Sequence, residues 1–131
     1  MLFHSFSSQD ERREYGGLSF VELQYCKLKK ETKIKKIVSI NHIEILKNDS
    51  LYILGSDMAA FLSAYSGILD CGIYNNGKTG PIDLSGINYY SPKSEERIIK
   101  SLRERDSADD RIFAEWLITA DEHNGFYILG I

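Results

Sequence analysis

Side chains that can do chemistry on their own are scarce in this chain, and each scarcity excludes something. The 131 residues include only two cysteines and three histidines. Cys26 and Cys71 form no CxxC pair and have no histidine close in sequence, so neither a zinc-ligand pair nor a redox motif is present. Isolated thiols of this kind behave as small buried hydrophobes. Cys71 stands before Gly72 in an expected strand and carries no nucleophile signature. His4, His42 and His123 fall in three different elements without HxxxH or HExxH spacing, so neither a metal site nor a cofactor is expected. His42, among apolar neighbours, reads as an ordinary packed or surface histidine. His123 belongs to the last turn of a helix, where a cation offsets the negative end of the dipole. No serine stands in GxSxG, and a serine nucleophile needs a base in reach and a third group to orient it.

An excess of positive charge is also lacking. Sixteen Lys and Arg against nineteen Asp and Glu give a net charge of −3, whereas binding to backbone phosphates scales with clustered cations. Lys27, Lys29, Lys30, Lys33, Lys35 and Lys36 do cluster, but in one short stretch interrupted by Glu31. That stretch reads as a solvated hairpin tip or a lysine-guarded sheet edge, and no nucleic-acid partner is expected. No apolar run approaches the ~18 residues of a membrane span. Met1-Leu2-Phe3-His4 lacks the basic start of a secretory signal. The expectation is a cytoplasmic protein without a membrane partner.

What is present suits one α+β domain over residues 1–131. Apolar residues make up 43%, and eight Tyr, six Phe and Trp116 supply bulk for a core. Residues 1–17 read as a loose arm or a short helix. Leu18 to Leu28 alternate as a strand, a lysine-rich turn follows, and Ile37 to Leu46 read as a second strand paired with the first in a hairpin. Leu51–Leu54 form a short apolar strand. Ser56 can cap a following helix that Gly67 ends, with Phe61, Leu62, Ala64 and Tyr65 on neighbouring positions. Ile68–Tyr74 return to strand, and Asn75–Pro81 form a turn. The next strand runs from Ile82 to Tyr90 with a bulge at Ser85-Gly86.

Ser91-Pro92 opens a helix in cap-then-proline order. After a break at Asp106-Ser107, Ser107 and Asp110 have capping-box spacing for a second helix. Asn124-Gly125 stops that helix, and Phe126–Ile131 form a last apolar strand that must pair inside the sheet or leave an exposed edge. Together these elements predict a mixed, mostly antiparallel sheet of about five or six strands, with about three helices packed mainly on one face.

One literal motif match fails on context. Gly72–Thr79 fits GxxxxGK[ST], but Gly80-Pro81 and a strand follow it. The helix N-terminus that would bind phosphate is missing, and a hairpin is expected instead. The carboxylates gather in the C-terminal half, as Asp106, Asp109, Asp110, Glu115, Asp121 and Glu122. Asp109 and Asp110 suit the start of a helix. Asp121 and Glu122 at the other end do not, and they point to a surface offered to something basic, although a solvated face is the plainer reading. Complementary charge of that kind speeds encounter and selects partners.

Several stretches together carry a family resemblance. They are the Tyr-Ile-Leu strand and Phe-containing helix of 51–65, Cys-Gly-Ile-Tyr-Asn-Asn-Gly-Lys at 71–78, Gly-Ile-Asn-Tyr-Tyr-Ser-Pro at 86–92 and Gly-Phe-Tyr-Ile-Leu-Gly-Ile at 125–131. Over Leu51–Ile131 the chain resembles small bacterial immunity proteins of polymorphic-toxin systems, including those of contact-dependent growth inhibition. The resemblance implies a cytoplasmic protein without catalysis of its own. Such a protein binds the C-terminal toxin domain of its cognate effector, commonly a nuclease. The family has no fixed site pattern to carry over. On physical grounds the expected partner-binding residues are Asp106, Asp109, Asp110, Glu115, Asp121 and Glu122, with exposed members of Tyr74, Tyr89 and Tyr90 as aromatic anchors. Two other readings stand beside this one. A small-molecule or regulatory binding module would show a deep apolar pocket with a few polar groups. An enzyme using scattered carboxylates would bring them together in a cleft with shifted pKa values.

Overall fold

The computed structural model describes residues 1–15 and 19–130. The expected strand start at Leu18, the strand end at Ile131, and Gly16 and Gly17 of the expected arm lie outside these described residues. Within the expected arm, a short helix, α1, covers Gln9–Tyr15, and Phe3 and Phe6 before it are buried in the fold. The strands are β1 (Phe20–Tyr25), β2 (Leu51–Leu54), β3 (Gly72–Ile73), β4 (Thr79–Gly80), β5 (Ile87–Tyr90) and β6 (Phe126–Gly130). They form one sheet in the order β2-β1-β6-β5-β3-β4, and every neighbouring pair is antiparallel. The class is α+β with six strands, as expected, but the sheet is antiparallel throughout rather than mixed. The last strand sits between β1 and β5, so the most apolar segment has no free edge.

Period-two alternation divides β1 cleanly between the two faces. Val21 and Leu23, with Leu51, Ile53, Tyr90, Phe126 and Ile128, face the main core. That core is closed by α3 (Met58–Tyr65), α4 (Pro92–Arg105) and α5 (Ala108–Thr119), through Phe61, Tyr65, Ile98, Leu102, Phe113 and Leu117. The opposite face is covered too. Phe6, Phe20 and Tyr52 pack together there, with the Arg12 guanidinium of α1 over the Phe20 ring at 5.1 Å. Beside them, Ile37 and Val38 pack on Ile87, Tyr89, Tyr127 and Leu129. The helices of seven or more residues number four among the described residues, and three of these share one face.

Local side-chain chemistry sets the ends of α4 and α5. Ser91 Oγ accepts from the Ser94 N–H at 3.3 Å, with Pro92 in the first turn. Asp106 ends α4 in a left-handed conformation (φ 55°) and donates its N–H to the Leu102 carbonyl at 2.9 Å. Ser107 and Asp110 form the expected capping box, each side chain accepting from the other's backbone N–H, at 3.0 and 3.1 Å. Gly72–Thr79 make a hairpin, as expected, with Gly77 at φ 83° in its turn.

Five expectations fail, the first being that Asn124-Gly125 stop α5, which ends at Thr119 and leaves His123 outside the helix. Ile37–Leu46 form no strand and no hairpin with β1, because both sides of β1 are taken by β2 and β6. The stretch contributes instead the end of a one-turn helix, α2 (Ile34–Ile37), then a 3-10 turn (Ile40–His42) and irregular backbone. Ser56 does not cap α3. A 3-10 turn (Gly55–Asp57) precedes that helix, and Asp57 occupies its cap position without a side-chain bond. The strand expected over Ile68–Tyr74 shrinks to Gly72–Ile73, since Ile68 and Leu69 donate their N–H groups back to the Tyr65 carbonyl. Ile82–Leu84 stay out of β5 as well. Asn88 grips Asp83 there, accepting from its N–H at 2.7 Å and donating to its carbonyl at 2.8 Å.

Candidate functional site

Three of the six carboxylates of the expected acidic surface, Asp106, Asp110 and Glu122, have a cation beside them within the chain. Asp106 accepts two bonds from the Arg111 guanidinium, at 2.7 and 2.9 Å, and this partner holds its carboxyl below the usual range. Asp109, half-buried, accepts from the Leu2 N–H at 2.9 Å. Glu122 pairs with Lys30 at 3.3 Å. Glu115 and Asp121 are exposed. Asp110 is fully buried and lies inside the fold. It accepts from the Tyr65 hydroxyl at 2.8 Å and faces the Arg105 guanidinium at 3.3 Å. Tyr89 and Tyr90 are not exposed anchors either, because helices cover one face of the sheet and chain covers the other, leaving both rings buried. Tyr89 donates to the Asn124 carbonyl and Tyr90 to that of Leu69. Only Tyr74 keeps exposed surface, while its hydroxyl donates to the Pro81 carbonyl at 2.6 Å.

Asp110 yields a pH prediction. Burial opposes its charge, but bonds from Tyr65 and Ser107 and the charge of Arg105 outweigh that and hold its carboxyl below the ordinary value. A lowered folded-state pKa means stabilisation present above the unfolded value of about 4 and lost as pH falls through the folded one. Asp110→Ala should cost about 2–3 kcal/mol at pH 7, through the lost cap and the orphaned Tyr65 hydroxyl. In urea titrations its deficit against the parent should shrink below about pH 4. A deficit independent of pH would refute this account.

A feature the composition did not reveal is the connection 26–50 between β1 and β2, referred to below as the strap. Irregular connections beyond ~12–15 residues are uncommon in compact domains and are usually functional or disordered. This one is held in place. Buried Glu22 accepts from the Leu46 and Lys47 N–H groups at 2.6 and 2.9 Å and from Ser50 Oγ at 2.5 Å. Gln24 donates to the Glu44 carbonyl, Tyr127 to Ile37, Asn75 to Val38, Asn124 to Lys29 and the Trp116 indole to Asp49, at 2.7–3.1 Å. Side chains from four separate stretches of the chain thus fix an irregular backbone.

The strap also borders the clefts. The largest beside it, ≈ 530 Å³, opens between Tyr25, Lys27, Asp49, Thr119, Glu122 and His123. Lys27 and Asp49 pair across it at 2.5 Å. Comparison with protein families, curated proteins and solved structures yields no match. At the back of this cleft the Tyr25 ring stacks on Trp116 at 4.0 Å between centroids, and its hydroxyl donates to the Trp116 carbonyl at 2.6 Å.

His123 stands beside that stack with both ring nitrogens facing acceptors, Glu95 Oε1 at 2.6 Å and the Asp121 carbonyl at 2.9 Å. Against a carbonyl oxygen Nδ1 can only donate, and Nε2 is turned to the carboxylate. Burial pushes the Glu95 carboxyl up, and His123 pulls it partly back. With both nitrogens committed, this imidazole fastens the α5–β6 corner to α4 and has no lone pair turned to the cleft. Its role went unread because Glu95 and His123 are far apart in sequence.

Proposed function

We propose that this chain is a cytoplasmic immunity protein that binds the C-terminal toxin domain of a cognate bacterial effector, a nuclease in the commonest case, and neutralises it without catalysis of its own. The carrying observation is the strap. Buried Glu22, Gln24, Asn124 and Tyr127 hold an irregular surface segment in one conformation, and a surface fixed before encounter loses less entropy on binding. A rigid sheet that displays an ordered loop is a common platform for recognition. Two buried or half-buried titratable groups, Asp110 and His123, are committed to internal bonds.

Co-expression tests this reading. The C-terminal domain of the effector encoded beside this chain should arrest growth alone, and this chain should restore growth and co-purify with that domain as a stable complex. Unchanged toxicity with no complex would end the proposal.

The cleft at Tyr25, Lys27 and Asp49 favours a second reading, a small-molecule or regulatory binding module. Such a module would retain a metabolite through purification, and Lys27→Ala would release it.

A further inference from the structure

The outward side of the strap has its own chemistry. Lys29, Lys33, Lys35 and Lys36 are exposed, and among the described residues none has a carboxylate within ion-pair distance, unlike Lys27, Lys30 and Lys47. Between and beyond them stand three of the chain's exposed large apolar side chains, Ile34 (41% exposed), Ile40 (67%) and Ile45 (50%). Scattered single apolar residues are ordinary on a surface. Three in one short segment, on backbone that buried side chains hold, are more than scatter and make the exposed side of the strap a basic and apolar patch.

We infer that this patch is the surface that docks on the toxin domain, and that its counterpart there is an acidic protein surface with apolar sockets. The inference rests on the immunity reading and makes the strap, rather than the acidic residues around α5, the contact. Lysines that leave water need a carboxylate opposite them, and the chain itself supplies none to these four. The isoleucines need apolar contact that a phosphate backbone cannot give. Residues 26–50 contain no Phe, Tyr or Trp on which a base could stack, and the His42 ring is tied back to the Ile37 carbonyl at 3.0 Å. Exposed Glu31 would be repelled by an anionic membrane or by nucleic acid, whereas a protein can place a cation opposite it.

The test uses the full chain and the purified C-terminal domain of the adjacently encoded effector. Three versions are compared by calorimetry, namely Lys33→Glu with Lys35→Glu and Lys36→Glu, Ile34→Ser with Ile40→Ser, and Glu115→Lys with Asp121→Lys. All replace exposed side chains, and unchanged melting curves establish that each folds. Both strap variants should weaken binding on the order of thirtyfold or more, the scale of an interface hot spot, while the α5 variant stays near the parent. Strap variants that bind like the parent would overturn this inference and leave the immunity reading standing. A parent chain that forms no complex would overturn both. Parent binding to phosphatidylglycerol vesicles or duplex DNA that the lysine variant loses would also overturn it, by giving the patch a different occupant.

Discussion

Gly125→Ala is expected to lower the melting temperature by on the order of 10–20 °C. Gly125 sits where β6 enters the sheet between β1 and β5, with φ at 76°. That backbone conformation costs an L-residue about 1–2 kcal/mol. A β-carbon there would also overlap the carbonyl oxygen of Tyr90 and press on the Tyr89 ring. Neither neighbour can yield. Tyr90 belongs to β5, and the Tyr89 hydroxyl is tied to the Asn124 carbonyl at 2.7 Å. On the other side the Gly125 carbonyl accepts from the Cys26 N–H at 3.0 Å, and the Asn124 N–H donates to the Cys26 carbonyl at 2.8 Å. Strain and overlap together amount to about 3–5 kcal/mol, a large part of the ~5–15 kcal/mol that stabilises a domain. Gly67→Ala is the control, because its added carbon meets nothing within 4 Å and its φ is not positive, so its melting temperature should stay within a few degrees of the parent. A Gly125→Ala protein that melts with that control would mean β6 is not seated as described.

Gly125 was legible in the sequence only as part of an Asn-Gly stop signal, and α5 ends before that signal, at Thr119. Features written in neighbouring residues were read correctly, among them the Ser107–Asp110 box, the Ser91-Pro92 start and the hairpin at Gly77. Features that depend on what lies across the fold were not. Ile37–Leu46 has the β-branched composition of a strand, yet strand propensity cannot show that both sides of β1 are occupied. Tyr89 and Tyr90 alternate, so one of them would be exposed on a one-sided sheet. Both are buried because residues 26–50 cover the second face. The internal partners of the acidic residues were hidden for the same reason. A sequence shows carboxylates without their partners, and Asp110 finds Tyr65 from a distant helix while Glu122 finds Lys30 from the strap.

Glu22 is where the fold and the proposed binding surface meet, and replacing it should separate them. Its Oε2 receives bonds from the Lys47 N–H, Ser50 Oγ and Gln24 Nε2, and its Oε1 from the Leu46 N–H. Every neighbour is a donor, so Glu22→Gln is not conservative, since either orientation of the amide turns an NH2 group toward an N–H or O–H. The expected cost is about 2–4 kcal/mol, with Glu22→Leu at the upper end because it leaves two backbone N–H groups and a hydroxyl without partners. The damage should be local first. In hydrogen exchange the amides of Leu46 and Lys47 should lose protection while those of α4 and α5 keep theirs, because no α4 or α5 residue contacts this carboxylate. If the strap binds the toxin domain as an ordered surface, the Gln variant should also bind more weakly with its lysines and isoleucines intact, since ordering them then falls on the binding step. Parent-like exchange at Leu46 and Lys47 in the Gln variant would show that the strap is held elsewhere, and the link between its order and recognition would fall with it.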